Sequence, residues 1–206
     1  MPEAVSLDGF TIFLFLLRWF HLIFGITWIG LLYFFNFVNG PFAKTMDAPT
    51  KKLVVPQLMP RALWWFRWAA MITFITGWSY IFARLHLNSG QGSLFASTWG
   101  QWIMLGATMG SIMWFNVWFV IWPSQKKLIT WTKKGEAPAE MAAITKRAFL
   151  ASRFNTYLSV PMLFCMGAAS HLPAFNWIIV LPMVLFGVTL VWHLINKVAV
   201  KAGANF

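Results

Sequence analysis

The chain has 206 residues, of which 59% are hydrophobic and only 10% charged, with 14 Trp and 21 Phe. An ordinary soluble domain is ~45–50% apolar and ~25% charged, so this composition excludes that class and predicts an all-α chain lying almost entirely in a bilayer. The formal charge of +11 does not indicate nucleic acid, because the cations sit in connections that lack interleaved aromatics or a recognition motif.

Crossing a ~30 Å hydrocarbon core takes ~20 apolar residues at about 1.5 Å per residue. Five segments meet that length: 10–38, 63–85, 98–122, 149–170 and 176–198. They predict a polytopic integral membrane helical bundle of five transmembrane helices, with residues 1–206 forming one transmembrane domain. The first is too long for a signal peptide and follows an acidic start, Glu3 and Asp8, so it is expected to remain in the mature protein.

Within this first segment Arg18 lies one turn before His21, Gly25 one turn after and Trp28 two turns after. All four therefore share a helix face. Ionisable groups at that depth are costly and face a bundle interior with a partner. A histidine beside a glycine suits an axial haem ligand with room for a flat macrocycle, and an arginine suits a propionate. The same pattern equally suits a buried histidine bonded to a neighbouring helix, with Gly25 serving packing.

Lys44, Lys51, Lys52 and Arg61 follow the first segment. The second begins with Trp64, Trp65 and Trp68 and the third ends with Trp118 and Trp122, which read as an interfacial aromatic belt. Gly106 and Gly110 in the third segment form a GxxxG pair for close helix approach. The connection 123–148 carries Lys126, Lys127, Lys133, Lys134, Lys146 and Arg147, with Gly135 and Pro138 in its middle; it reads as a basic cytoplasmic loop with a surface amphipathic segment. Pro161 and Pro182 are expected to kink the last two spans, and Cys165, the single cysteine, reads as a small core residue. Lys197 and Lys201 end the chain. Cations thus gather in alternate connections, predicting an outside N-terminus and a cytoplasmic C-terminus, with the basic loops attracted to anionic lipid headgroups.

The remaining histidines are candidates for a second ligand. His193 lies near the cytoplasmic end of the fifth span, but its depth is roughly 26 Å against roughly 16 Å for His21, a mismatch that tilt or kinks would have to absorb. His86 and His171 lie at the outer ends of spans two and four, where they form a weaker alternative metal or haem pair or are solvated interfacial residues. No CxxCH, HExxH, Ser/His/Asp set or phosphate loop is present.

The run Arg18–Gly30 (RWFHLIFGITWIG) resembles the first helix of the membrane domain of bacterial membrane-bound urate oxidases, the urate oxidase N-terminal family. Asn116–Lys127, Gly135–Pro138, Tyr157–Pro161 and His171–Pro173 resemble that family's later half in the same order. The first helix is more faintly similar to membrane protoporphyrinogen oxidase and copper-resistance membrane proteins, where an early histidine is associated with haem or metal. His21, His171 and His193 match the family's pattern. That pattern also has histidines before span two and at the start of span four and an acidic residue in span two, where this chain has Trp64, Phe154 and Ala69. Family members commonly add further helices and a cytochrome c domain, neither of which is expected for this chain.

The resemblance implies a bacterial cytoplasmic (inner) membrane location and three functional readings. The first is an electron-transfer protein or redox-complex subunit binding a b-type haem through His21, Arg18, Gly25 and Trp28 with His193 or His171, and passing electrons to a separate cytochrome c. The second is a non-catalytic subunit packed against other membrane subunits of a larger respiratory or oxidising complex. The third is a urate oxidase-like enzyme, for which the acid–base set looks incomplete.

Overall fold

A computed structural model describes residues 8–87 and 93–202; Glu3, of the acidic start, lies outside them. Every regular element among the described residues is helical. Helix α1, Gly9–Tyr33, starts where the Asp8 carboxylate accepts the Thr11 N–H. It passes through a π-helical turn, Phe34–Asn39, into the short α2, Gly40–Thr45. After two residues comes α3, Ala48–Leu87. A 3₁₀ turn, Leu94–Ala96, leads to α4, Thr98–Phe115, capped by the Ser97 hydroxyl on the Gly100 N–H. A second π turn, Asn116–Ile121, feeds α5, Trp122–Lys134. Then follow α6, Met141–His171, α7, Trp177–His193, and a π turn, Leu194–Val198.

Among the described residues, three continuous helical stretches are long and apolar enough to cross a membrane: Gly9–Thr45, Thr98–Lys134 and Trp177–Val198. Their outward surface is apolar as well, with Ile26, Leu181, Leu185 and Phe186 exposed and Ile178 78% exposed. Such surface suits lipid rather than water. The expected segments 63–85 and 149–170 lie within α3 and α6, which are longer at their N-terminal ends than hydropathy indicated.

The region 123–148 is mostly helix rather than loop. α5 continues the apolar α4 as a basic helix and stops at Gly135, whose φ of 75° is left-handed. There the Gly135 and Glu136 N–H groups close onto the carbonyls of Thr132 and Trp131, the glycine stop expected of a C-terminal cap. Pro56 and Pro60 likewise lie inside α3, and the helices run unbroken through Pro161 and Pro182.

Of the three π turns among the described residues, the two that follow α1 and α4 share a cause. Each runs from seven to two residues before a proline, Pro41 and Pro123. A proline has no N–H and its ring crowds the carbonyl four residues back, and here the N–H of the preceding residue, Gly40 or Trp122, bonds five residues back to Phe35 or Val117. The chain therefore uses one arrangement twice: a long apolar helix, a π turn, a proline-initiated short helix, and a second long helix packed back on the first. α1 packs on α3, α4 packs on α6, α7 lies against α6, and α5 touches both α3 and α6.

The core runs between these pairs through Leu32, Phe66, Trp102, Met113, Val117 and Cys165. Trp102 is buried and its indole N–H reaches the Ala174 carbonyl at 3.2 Å, tying α4 to the α6–α7 connection. Only half of the GxxxG pair is used. A Cβ on Gly106 would lie 3.1 Å from Cys165 Cβ, whereas nothing lies within 4 Å at Gly110. Pro161 serves a close approach of its own, since a Cβ on Gly187 of α7 would meet its ring at 3.0 Å.

Candidate functional site

The face of α1 bearing Arg18, His21, Gly25 and Trp28 packs against α3. His21 Nδ1 lies 2.8 Å from the Thr73 carbonyl oxygen. A carbonyl can only accept, so Nδ1 carries a proton in this contact. The Thr73 carbonyl also receives the Thr76 hydroxyl at 3.2 Å, while the Thr73 hydroxyl turns back to Ala69 at 2.8 Å.

A glycine explains why His21 reaches a helix backbone. Side chains lean toward the helix N-terminus and cover the turn before them, so the residue at 77 would shield the carbonyl of 73. It is Gly77. A Cβ there would come within 2.8 Å of the His21 ring. Gly25 provides no comparable opening, because a Cβ on it would meet Thr73 Cγ2 at 3.8 Å, an ordinary contact. The glycine that accommodates the imidazole is on the opposite helix, and its signal in the sequence is a small residue four places after Thr73.

Arg18, one turn toward the N-terminus, is exposed with its guanidinium carbon 5.5 Å from the centre of the Tyr80 ring. Trp28, 2% exposed, holds its indole N–H buried without an acceptor among the described residues. Arg18, His21 and Gly25 thus line one seam between α1 and α3, with the imidazole in the middle and a cation at one end.

The other histidines are elsewhere. His193 is exposed at the end of α7, a helix that packs on α6. His171 is exposed at the end of α6 and bonds its own helix at the Gly167 carbonyl, 2.9 Å away. His86 is exposed near the end of α3. No group of three or more His, Cys, Asp or Glu side chains gathers at a metal-binding spacing among the described residues. The three positions that differ from the family pattern do not share an environment either: Ala69 is buried, while Trp64 and Phe154 are exposed.

A second polar feature was not anticipated from the sequence. Along α6, half-buried Ser152 and buried Asn155, Thr156 and Ser159 form a polar ladder. Ser159 donates to the Thr156 carbonyl at 2.7 Å, so the Tyr33 hydroxyl, 2.9 Å away, donates to Ser159. Asn36 donates to Ser152 at 2.9 Å and Asn155 bridges Asn116 and the Met113 carbonyl, both at 2.9 Å. The bonds that leave α6 reach only two runs, Tyr33 and Asn36 at the end of α1 and its π turn, and Met113 and Asn116 at the end of α4 and its π turn, so the ladder holds these two runs in register across it. Serine, threonine and asparagine at i, i+3, i+4 and i+7 of an apolar segment were its available signal.

No curated protein and no solved structure matches this chain. Residues 91–205 match the urate oxidase N-terminal family, a stretch running from before α4 to beyond the last π turn. It includes His171 and His193, more than half of the sequence, and leaves α1 with His21 outside. On that match the chain belongs to the urate oxidase N-terminal family.

Proposed function

We propose that this protein is a membrane redox subunit related to the urate oxidases, holding a b-type haem through Nε2 of His21. The observation that carries the reading is the 2.8 Å bond from His21 Nδ1 to the Thr73 carbonyl. An imidazole whose second nitrogen is tied to a backbone carbonyl has a fixed tautomer, a fixed ring plane and enhanced basicity, which are the properties of a histidine ligand. A bound haem supplies one-electron transfer. The chain's own residues would do the rest: Thr73 and Gly77 orient the ring, Arg18 offers positive charge for a propionate, and the Trp28 indole N–H offers a donor. His193 and His171, on other interfaces, remain the second-ligand proposals from the family pattern.

The same reading has the chain cross the bacterial inner membrane five times, the apolar parts of α3 and α6 joining the three long apolar stretches, with the N-terminus outside. Electrons would pass to a separate cytochrome c. Urate turnover is not part of the proposal, since Trp64, Ala69 and Phe154 bring no acid–base group to their positions.

An oxidised-minus-reduced spectrum of the gently purified protein tests the proposal. The expected result is a b-type difference spectrum that His21→Ala abolishes while the protein stays inserted, because insertion depends on total span hydrophobicity. A wild-type protein without haem would leave His21 as a helix-packing residue and favour the accessory-subunit reading, which the existing Thr73 partner also accommodates.

A further inference from the structure

Arg67 of α3 occupies a cage of indoles at the basic end of the bundle. Its guanidinium carbon is 4.0 Å from the centre of the Trp122 ring, 5.0 Å from Trp118 and 5.5 Å from Trp68. Trp68 and Trp118 meet edge to face at 5.5 Å. Trp118 and Trp122 come from the π turn and the helix it feeds, so the proline-linked irregularity between α4 and α5 builds one wall.

The cage supplies π faces but no acceptor in the guanidinium plane. Arg67 makes no hydrogen bond to any described residue, and its buried Nε and the buried indole N–H of Trp118 are both without a partner. The ion pairs among the described residues join Lys127 to Glu140 and Lys134 to Glu136, so neither reaches Arg67. Stacking on a ring leaves the guanidinium fork free to bind two oxygens of one anion. A guanidinium held against indole faces with no counter-anion among the described residues is suited to a compact oxyanion.

The surroundings choose which oxyanion. Trp64 and Trp65 next to Trp68, and Phe115 and Phe119 next to Trp118, are exposed apolar rings. They offer a surface for acyl chains beside the donors, and Lys126 and Lys127 follow Trp122 within two turns. We infer that Arg67, Trp118 and Trp122 hold the phosphodiester of one glycerophospholipid, its tails lying over the neighbouring aromatic rings. The cage is on the α3–α4 side of α3 and independent of His21.

Native mass spectrometry of the full chain in detergent tests the site, with dioleoyl phosphatidylglycerol, dioleoylglycerol and inorganic phosphate as separate probes. The expected result is a saturable one-to-one phosphatidylglycerol adduct. Arg67→Gln should lower its population about tenfold and Arg67→Lys, which keeps the charge but loses the fork, by a similar direction and smaller amount. Arg61→Gln, an exposed cation on the same helix, should leave it unchanged. Equal loss from Arg61→Gln would overturn the proposal in favour of diffuse charge attraction, and so would equal binding of dioleoylglycerol. Inorganic phosphate binding as tightly as the lipid would overturn the lipid assignment. If Arg67→Gln fails to fold, an unchanged adduct in Arg67→Lys and in Trp122→Leu also overturns it.

Discussion

His21 and Thr73 are 52 positions apart in the chain and 2.8 Å apart in space, joined by a hydrogen bond from an imidazole to a helix carbonyl. That contact is possible because residue 77 has no side chain, and it makes the seam between α1 and α3 a fixed polar junction in an apolar interface.

Gly77→Ala should therefore disturb His21 while Gly25→Ala should not. The added Cβ at 77 would sit 2.8 Å from the imidazole, against 3.8 Å from Thr73 Cγ2 at position 25. Overpacking of this kind costs ~1–3 kcal/mol, whereas an uncrowded substitution stays within about 0.5 kcal/mol. Thermal unfolding in detergent should show a lowered midpoint for Gly77→Ala alone. Equal midpoints would mean that the ring can move aside without loss.

Asn155 carries the polar ladder's link between α4 and α6. It is buried and bonds both Asn116 and the Met113 carbonyl. Asn155→Leu should destabilise the bundle by about 0.6–1.7 kcal/mol per hydrogen bond lost, the range found between membrane helices. Asn155→Leu combined with Asn116→Leu should cost less than the sum, because no orphan amide remains. Strict additivity of the two in reversible unfolding would contradict the pairing.

Asp8 gives a pH-dependent helix start. The Thr11 N–H bond holds its carboxyl below the ordinary aspartate range. A depressed pKa means stabilisation that is fully present above the unfolded value and lost as pH falls through the folded one. Protection of the Thr11 amide from exchange should be steady from neutral pH down to ~3.9, the ordinary aspartate value, and fall below it. Asp8→Asn, which still caps but cannot ionise, should flatten that dependence.

Cysteine labelling in a Cys165→Ala background decides the proposed topology. Cys165 is buried and its replacement is conservative in volume. A cysteine at Thr132 in α5 should react only from the cytoplasmic side, and one at Ser89, which lies outside the described residues, only from the outer side. Labelling of both from one side would remove the five-crossing arrangement.

Much of this architecture was legible without coordinates. Apolar runs of spanning length and the break at Gly135 are local properties, set by side-chain hydrophobicity and the backbone needs of one helix end. The stretches that misled were polar ones. The connection 123–148 and the residues before 63 read as loops because their charges lower hydropathy, yet lysine and glutamine are good helix formers and continue the helices into the polar layer.

The candidate sites were legible only in part, since a sequence names residues and not their partners. Helical periodicity put Arg18, His21, Gly25 and Trp28 on one face, which is a one-helix fact. Which helix that face would meet is undetermined on one helix alone, so the room that Gly77 gives the imidazole has no signal in it. Trp118 and Trp122 read as an interfacial belt, and their relation to Arg67 is invisible until α3 packs beside the π turn. The sequence by itself determined the helical class, the apolar runs and the family, because those rest on short-range spacing and composition. Only the tertiary structure decided which donors found acceptors and which, as at Arg67 and Trp118, did not, because satisfying a buried polar group depends on atoms supplied from elsewhere in the chain.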